Sequence, residues 1–360
     1  MRTSRNKRIL KETAVCGMIM LAGYVIFFCL LQAPALWYTP RPDPSRSLLP
    51  GIFGPINALF PQRWVTLEPT QNLALLMVPL YMAAMVLVTG PLLYLLRRLR
   101  GHLLIAARER RALLVVVAGF TVAFMLVLLF VRGVLSTDVY SYVWYSRIWV
   151  DHGASPYTHA PIEFVPPDPE GSLAWVYWQK EPSVYGPVWV AASAVAYKVG
   201  QMLGGFSAQV LTMRLLADAA HLANAWLVWN IAGVLARPAT RQGDRLKIRR
   251  TRPANRYFQR LRHVTYRKAR ANAPMGTEHA GTSVQVAALL LYIWNPLLLI
   301  EFAGSGHNDA VMLTLVLLAL WLHLKGSWRG AALALGLAVL VKLPAAIFIP
   351  GYVWYLLWQH

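Results

Sequence analysis

Long apolar blocks separated by shorter polar or basic stretches dominate the pattern of this chain. Several blocks reach the roughly 20 residues that one helix needs to cross a lipid bilayer. The pattern predicts an all-α fold, a polytopic transmembrane helical bundle with about eight spans. The predicted spans cover residues 9–31, 72–96, 112–135, 186–203, 208–235, 283–303, 310–324 and 331–350.

The most informative segment between the predicted spans is 136–185, which is rich in Tyr, Trp and Pro. We expect a structured outer loop there, with short interfacial helices. Residues 138–151 are predicted to form one such helix, with Ser136 or Thr137 as its cap. Three aromatic side chains share one face of that helix, which suits contact with the membrane interface: Tyr142, Tyr145 and Trp149.

Two further loops differ in composition. Residues 34–71 are too rich in proline to form a helix through lipid. Residues 237–280 are basic and polar, and we expect them to form a flexible cytoplasmic loop. The sequence is therefore interpreted as a single module over residues 1–350, with 351–360 as a C-terminal end.

Composition and charge agree with a membrane protein. Hydrophobic residues make up 57% of the chain and charged residues only 14%, against about 25% in soluble proteins. The net charge is +20, and 24 of the 35 Lys and Arg lie in 1–11, 97–111 and 237–270. Such clustering is typical of cytoplasmic segments that face anionic lipid headgroups. We expect a multi-pass protein of the cytoplasmic membrane that binds no nucleic acid.

The charge rule leads to a conflict in topology. Basic segments 1–11 and 97–111 on the cytoplasmic side place Asp138, after the third span, on the outer side. Two ordinary crossings between residues 186 and 235 would then place 237–270 outside, against its charge. A re-entrant segment, an interfacial helix or an exception to the charge rule would each remove the conflict.

Asp138 follows the third predicted span, where a carboxylate can reach both a lipid headgroup and water. A base is needed at that position if an acceptor hydroxyl attacks a sugar carried on a membrane lipid. The alternative is a structural role, because Asp at a helix N-terminus is stabilised by the helix dipole.

A second candidate is the turn at residues 304–309, Gly-Ser-Gly-His-Asn-Asp. Its two glycines let the backbone approach a ligand closely. His307, Asn308 and Asp309 supply donors, an acceptor and potential metal ligands. The alternative is a hydrated polar turn between two spans.

Lys342 lies inside an otherwise apolar predicted span, with Pro344 two residues later. A cation within the bilayer costs about 2.5–3.5 kcal/mol on insertion scales, so it usually has a partner or lines a cavity. A phosphate leaving group would be such a partner, and snorkelling to the interface is the alternative.

Arg214, Asp218 and His221 share one face of another predicted span. An Arg–Asp pair at i, i+4 can neutralise itself there, so a structural role is at least as well supported as a catalytic one. Outer aromatic residues could stack on sugar rings or form an interfacial belt: Trp144, Tyr157, Trp175, Tyr177, Trp178, Tyr185 and Trp189.

Four stretches in order resemble the GT-C superfamily of polytopic glycosyltransferases. They are Ser-Thr-Asp-Val-Tyr-Ser-Tyr at 136–142, Gly-Ala-Ser-Pro-Tyr-Thr at 153–158, Val-Tyr-Gly-Pro-Val-Trp at 184–189, and Asn-Pro at 295–296 leading to 307–309 and Lys342. Within that superfamily the chain looks like the polyprenol-phosphate-mannose-dependent α-1,6-mannosyltransferases of the family 87 type. Members usually run longer, so a truncated chain, an incomplete gene product and a shorter variant are the alternatives for the end at His360.

The resemblance implies an inverting transfer of a hexose, mannose by preference, from polyprenyl phosphate to an extracytoplasmic glycan or glycolipid. Asp138 matches the family's general base, 307–309 its polar outer motif, and Lys342 its lysine near the lipid phosphate. Tyr140, Tyr157, Tyr185 and Arg147 are the further substrate contacts that we expect. No cofactor is required on this interpretation, and a divalent metal remains an open alternative.

A transporter or lipid flippase is the main rival, because it would also explain charged residues within spans. Transporters often carry inverted repeats with matching broken helices, and the sequence shows no internal repeat. A non-catalytic membrane subunit that binds a partner through 237–270 is a third alternative.

Overall fold

The computed structural model describes residues 2–32, 71–99, 107–131, 136–165, 171–236 and 277–359. Within these ranges the chain forms helices joined by turns, without a β-strand. The predicted all-α class is therefore confirmed. The proline-rich stretch before Gln71 and the basic stretch 237–270 lie outside the described residues.

The helices differ in length from four residues to 31. In chain order they are α1 (Arg2–Gln32), α2 (Gln71–Leu99), α3 (Ala107–Leu129), α4 (Asp138–Val150), α5 (Pro187–Leu203), α6 (Phe206–Leu235), α7 (Thr277–Ile293), α8 (Pro296–Leu299), α9 (Asp309–Leu324), α10 (Trp328–Val341) and α11 (Phe348–Gln359). A π-helical turn, Ile300–Gly304, continues α8, and 3-10 turns cover Pro161–Phe164, Ser172–Trp175 and Leu343–Ile347.

Three of the described helices contain stretches long and apolar enough to cross a membrane: Lys7–Leu30, Val78–Leu99 and Arg108–Leu129. A fourth candidate consists of α7 and α8 together, bent by 47° where Asn295 and Pro296 interrupt the helix. Helices α9 and α10 are apolar but shorter. The chain is thus a membrane protein with several apolar helices, and the predicted spans 9–31, 72–96, 112–135 and 283–303 coincide with the four candidates.

Close packing of α1 against α2 and α3 depends on two glycines. A Cβ on Gly17 would lie 2.4 Å from the Phe120 ring, and one on Gly23 would lie 2.8 Å from Val88. Small residues let helix backbones approach closely in a membrane, where burial of apolar surface from water contributes little. The Tyr24 and Phe124 rings, 5.0 Å apart, fill the space between α1 and α3.

Contacts between helices give their directions. At one end of the bundle, Arg214 of α6 donates to the Leu129 carbonyl oxygen at the end of α3 over 2.7 Å. Further along α6, the Trp229 carbonyl oxygen accepts from Gln285 near the start of α7 over 3.2 Å. Helix α6 therefore runs from the end of α3 toward the opposite end of the bundle. We call the end where α3 begins the basic end.

Helix α5, which covers the predicted span 186–203, does not cross back through the bundle as that prediction required. It packs alongside α4 in the same direction: the Tyr142 and Trp189 rings lie 4.9 Å apart, and the Ser146 and Ser193 hydroxyls 3.1 Å apart. Helix α5 thus does not return to the basic end, because polar and aromatic contacts hold it against α4. A single helix, α6, makes that return between residues 186 and 235. The ends that flank 237–270 therefore lie at the basic end, and the predicted conflict disappears.

The predicted span 331–350 is interrupted. Helix α10 ends at Val341, Lys342 is extended (φ −154°, ψ 127°), and a 3-10 turn follows. Pro344 explains the break, because its ring would clash with the Leu340 carbonyl if the helix continued.

The predicted aromatic face of α4 points into the protein. Tyr142 and Tyr145 are buried against the Tyr185 ring, at 4.8 and 6.2 Å between ring centroids, and only Trp149 is exposed. The interfacial orientation expected for this face is therefore wrong. Among the other outer aromatic residues, some are buried and others exposed; the exposed ones are Tyr157, Tyr177 and Trp178.

Candidate functional site

Asp138 is the first residue of α4, and its side chain is partly exposed. The Ser136 hydroxyl accepts a hydrogen bond from the Asp138 backbone N–H over 3.0 Å, which makes Ser136 rather than Thr137 the capping side chain. Because the N-terminus of a helix carries partial positive charge, the carboxylate of Asp138 is stabilised at this position.

A sharp turn follows the π-helical turn and presents His307. Gly306 has φ +69°, a conformation that favours glycine, and a Cβ there would lie 3.1 Å from the Arg214 side chain. The His307 N–H donates to the Glu301 carbonyl oxygen over 3.1 Å, which closes the turn. Asp309 then begins α9, so its carboxylate also occupies a helix N-terminus.

The His307 imidazole lies among three carboxylates. Its Nε2 is 4.0 Å from Asp138 Oδ2. Its Nδ1 is 3.2 Å from Glu301 Oε2 and 3.5 Å from Asp309 Oδ2. The imidazole therefore connects the start of α4 with the turn after α8 and the start of α9.

Lys342 joins the same group from another helix. Its Nζ lies 2.6 Å from Asp309 Oδ2, and both side chains are about one-third exposed or less. The extended backbone at Lys342 directs the residue away from the axis of α10. Lysine at a helix C-terminus also complements the negative end of the dipole.

Tyr185 completes the group from the loop before α5. Its hydroxyl lies close enough to the Asp138 carboxylate to interact with it. Burial, together with the negative charge of Asp138, raises the pKa of Tyr185 well above its usual range. Tyr185 therefore stays protonated and can donate a hydrogen bond to Asp138.

Gly186 positions Tyr185 against the end of α10. Its N–H donates to the Val341 carbonyl oxygen over 3.1 Å, which satisfies one of the free carbonyls at that helix end. A Cβ at residue 186 would lie only 2.0 Å from the Leu340 carbonyl oxygen. Only glycine permits this approach, which places Tyr185 and Lys342 on the same side of the bundle.

Together these side chains form what we call the carboxylate cluster: Asp138, Tyr185, Glu301, His307, Asp309 and Lys342. Its side chains come from four separate parts of the chain and meet at the end of the bundle opposite the basic end. Three carboxylates face one lysine, with the histidine between them. Within the described residues, no group of three or more His, Cys, Asp or Glu side chains is arranged to hold a metal ion.

The remaining predicted contacts lie elsewhere. Tyr140 is buried, with its ring against Trp175 and Phe206. Asn308 is also fully buried, beneath the turn that presents His307. Tyr157 is 43% exposed in the loop after α4.

Arg147 lies beyond the carboxylate cluster along α4. Its guanidinium stacks over the Trp144 ring at 4.8 Å. That position is more than two helical turns from Asp138.

The polar row of α6 lies beside the cluster and is buried. Arg214 donates to the Leu129 carbonyl oxygen over 2.7 Å, and the self-neutralising pair of Arg214 with Asp218 stays a prediction. Among the described residues, Asp218 Oδ1 and both His221 ring nitrogens have no hydrogen-bond partner.

Glu301 was not among the site residues expected from the sequence. It lies within the π-helical turn and contacts His307 over 3.2 Å. The available signal was an acidic residue in an apolar block six positions before a histidine. An α-helical spacing would place the two residues on different faces, and the π turn with the Gly306 bend brings them together.

Comparisons with known proteins identify the family of the chain. A family model described as "Alpha-(1->6)-mannopyranosyltransferase, N-terminal domain" matches residues 46–242 and 271–358. The chain is also 34% identical over 77 residues to alpha-(1->6)-mannopyranosyltransferase A of Corynebacterium glutamicum, an alignment that covers 21% of this chain and 16% of that protein. No solved structure matches the chain. Since the family match covers well over half of the residues, the chain belongs to the MptA_B family, named for alpha-(1->6)-mannopyranosyltransferases.

Proposed function

We propose that this chain transfers a hexose, most favourably mannose, from a polyprenyl-phosphate donor to a glycan or glycolipid acceptor outside the cytoplasmic membrane. The observation that carries the proposal is the carboxylate cluster, which combines a base, a histidine and a lysine at one end of an apolar bundle. Family membership supports mannose as the sugar.

Asp138 is the general base in this proposal. It deprotonates the acceptor hydroxyl, which attacks the anomeric carbon from the face opposite the phosphate and inverts the configuration. The Tyr185 hydroxyl next to Asp138 would donate to the carboxylate, orient it and leave its other lone pairs for the acceptor. Holding both reactants in line supplies much of the remaining rate enhancement.

Lys342 and His307 stabilise the departing phosphate. Charge that develops on the leaving oxygen is best stabilised by donors already in place, in a site with little water. Lys342 lies 2.6 Å from Asp309, so the phosphate would share the lysine with that carboxylate. Arg147 is a further candidate for binding the phosphate, if the donor lipid extends along α4.

The charge balance of the cluster bears on metal dependence. Three carboxylates against one lysine leave a net negative site, before the donor adds its own phosphate charge. A divalent cation bridging carboxylate and phosphate oxygens is one way to compensate. Transfer assayed with and without EDTA, followed by addition of Mg²⁺ or Mn²⁺, decides between the metal-dependent and metal-independent forms.

Sidedness follows from the two ends of the bundle. The basic end carries the starts of α1 and α3 and the end of α2, with their arginines and lysines. The positive-inside rule supports a cytoplasmic position for this end, and therefore an extracytoplasmic position for the carboxylate cluster. A single cysteine at position 181, in a Glu181→Cys variant with Cys16 and Cys29 replaced by alanine, should react with an impermeant maleimide in intact cells.

The decisive experiment replaces the base. Asp138→Asn, purified into proteoliposomes with polyprenyl-phosphate mannose and a defined acceptor, should lower the transfer rate by about 10²–10⁴-fold. Glu181→Gln is the matched control, because it neutralises an exposed carboxylate of the same outer segment.

The same assay separates the proposal from the transporter alternative. Labelled sugar on the acceptor is expected only from a transferase, whereas a flippase would move the donor lipid without transferring sugar. Asp138→Asn activity within a few-fold of the unmodified chain would remove the base assignment.

A further inference from the structure

A groove opens between α1 and α2 at the basic end of the bundle, far from the carboxylate cluster. Its volume is about 540 Å³, within the range of small-molecule sites. Arg8, Lys11 and Glu12 lie at its mouth, and apolar side chains such as Val15 and Ile19 line its deeper part. The groove therefore changes from charged to apolar along the helix axes.

The mouth carries an excess of positive charge. Glu12 accepts hydrogen bonds from Arg8 over 2.9 Å and from Arg98 over 2.9 and 3.3 Å. With Lys11, three cations surround a single carboxylate. The carboxylate of Glu12 neutralises one of these three positive charges, so the mouth keeps a net charge of +2. This charge favours an anionic ligand.

The deeper part of the groove suits hydrocarbon. Val15 and Ile19 are each 39% exposed. Gly90 of α2 borders open space, because a Cβ at this position would meet no heavy atom within 4 Å, so a larger side chain there would extend into the groove. Pro91 and Tyr94 continue the wall on the same helix.

We propose that this groove binds one anionic glycerophospholipid, with the phosphate at Arg8 and Lys11 and the acyl chains along Val15 and Ile19. The charged-to-apolar order of the groove matches the order of headgroup and chain in such a lipid. A soluble phosphate would use only the mouth. A zwitterionic lipid would gain little from the excess charge. Bound lipid would contact both α1 and α2, which also pack against each other where Gly23 of α1 meets Val88 of α2.

The test counts lipids retained by the purified full chain in native mass spectrometry, with phosphatidylglycerol and phosphatidylcholine of the same acyl chains offered in equal amounts. We expect one phosphatidylglycerol to be retained in preference. Lys11→Gln should weaken its binding about fivefold, the effect of one cation near an anionic headgroup. Gly90→Leu should displace the lipid by filling the groove.

Arg111→Gln is the matched control, because it removes one exposed cation from α3 at the same end but outside the groove. It should leave the retained phosphatidylglycerol unchanged. Equal retention of the two lipids would overturn the proposal, as would equal losses in Lys11→Gln and Arg111→Gln. Displacement of phosphatidylglycerol by millimolar glycerol 3-phosphate would also overturn it, because the site would then recognise phosphate alone.

Discussion

Gly186→Ala tests whether close packing at the end of α10 creates the catalytic geometry. The new Cβ would lie 2.0 Å from the Leu340 carbonyl oxygen, so the two backbones must separate by about 1.4 Å to reach ordinary contact. That movement lengthens the 3.1 Å hydrogen bond from Gly186 to Val341 beyond the usual limit.

The expected cost has a structural and a catalytic part. Overpacking costs about 1–3 kcal/mol, and a buried hydrogen-bonding group left unsatisfied costs about 1–3 kcal/mol. Because Tyr185 and Lys342 flank this contact, both shift relative to Asp138. A misplacement of about 1 Å can lower the rate roughly 10²-fold.

The assay measures initial rates of mannosyl transfer in proteoliposomes, normalised to monodisperse protein, together with thermal unfolding. Gly336→Ala on α10 is the control, because its Cβ would meet no atom within 4 Å. It should be neutral or slightly stabilising, by up to about 1 kcal/mol. If Gly186→Ala retains transfer within twofold and unfolds at the temperature of Gly336→Ala, the packing argument is wrong.

Three further substitutions probe the cluster. Lys342→Met should lower kcat/KM for the lipid donor by about 10²-fold, measured at several donor concentrations, because the leaving phosphate loses a cation; an unchanged value would contradict its role. Glu301→Gln should reduce the transfer rate about 2–12-fold, because the His307 imidazole loses the carboxylate that lies 3.2 Å from its Nδ1 and helps to hold it in place; an unchanged rate would show that Glu301 does not position His307. Tyr185→Phe should reduce the transfer rate about 2–12-fold, the value of one hydrogen bond, with thermal unfolding as the check that packing survives; an unchanged rate would show that the base needs no orienting donor.

Local signals identified most of the cluster before any fold was known. Asp138 and Lys342 stand out because ionisable residues at the edge of, or inside, apolar blocks are costly unless they have a partner. The turn at 304–309 stands out because glycines and polar residues interrupt two apolar blocks. The resemblance drawn from the ordered motifs is confirmed by the family match.

The partners of these residues needed the tertiary structure. Asp309 and Lys342 lie 33 positions apart in the sequence and contact each other because α9 and α10 pack as an antiparallel pair. Glu301 joins the site through a π-helical turn, which a regular hydrophobic period does not predict. Sequence spacing alone cannot report contacts that depend on how separate helices pack.

The amino-acid sequence by itself determined that this is a helical membrane protein with a basic end, because lipid admits only apolar, internally hydrogen-bonded segments and cations collect at one face. It also determined where ionisable groups interrupt those segments. Only the tertiary structure decided that α5 packs beside α4 instead of crossing back. That choice depends on the Ser146–Ser193 and Tyr142–Trp189 contacts between the two helices, whereas an apolar run of 17 residues fits either arrangement.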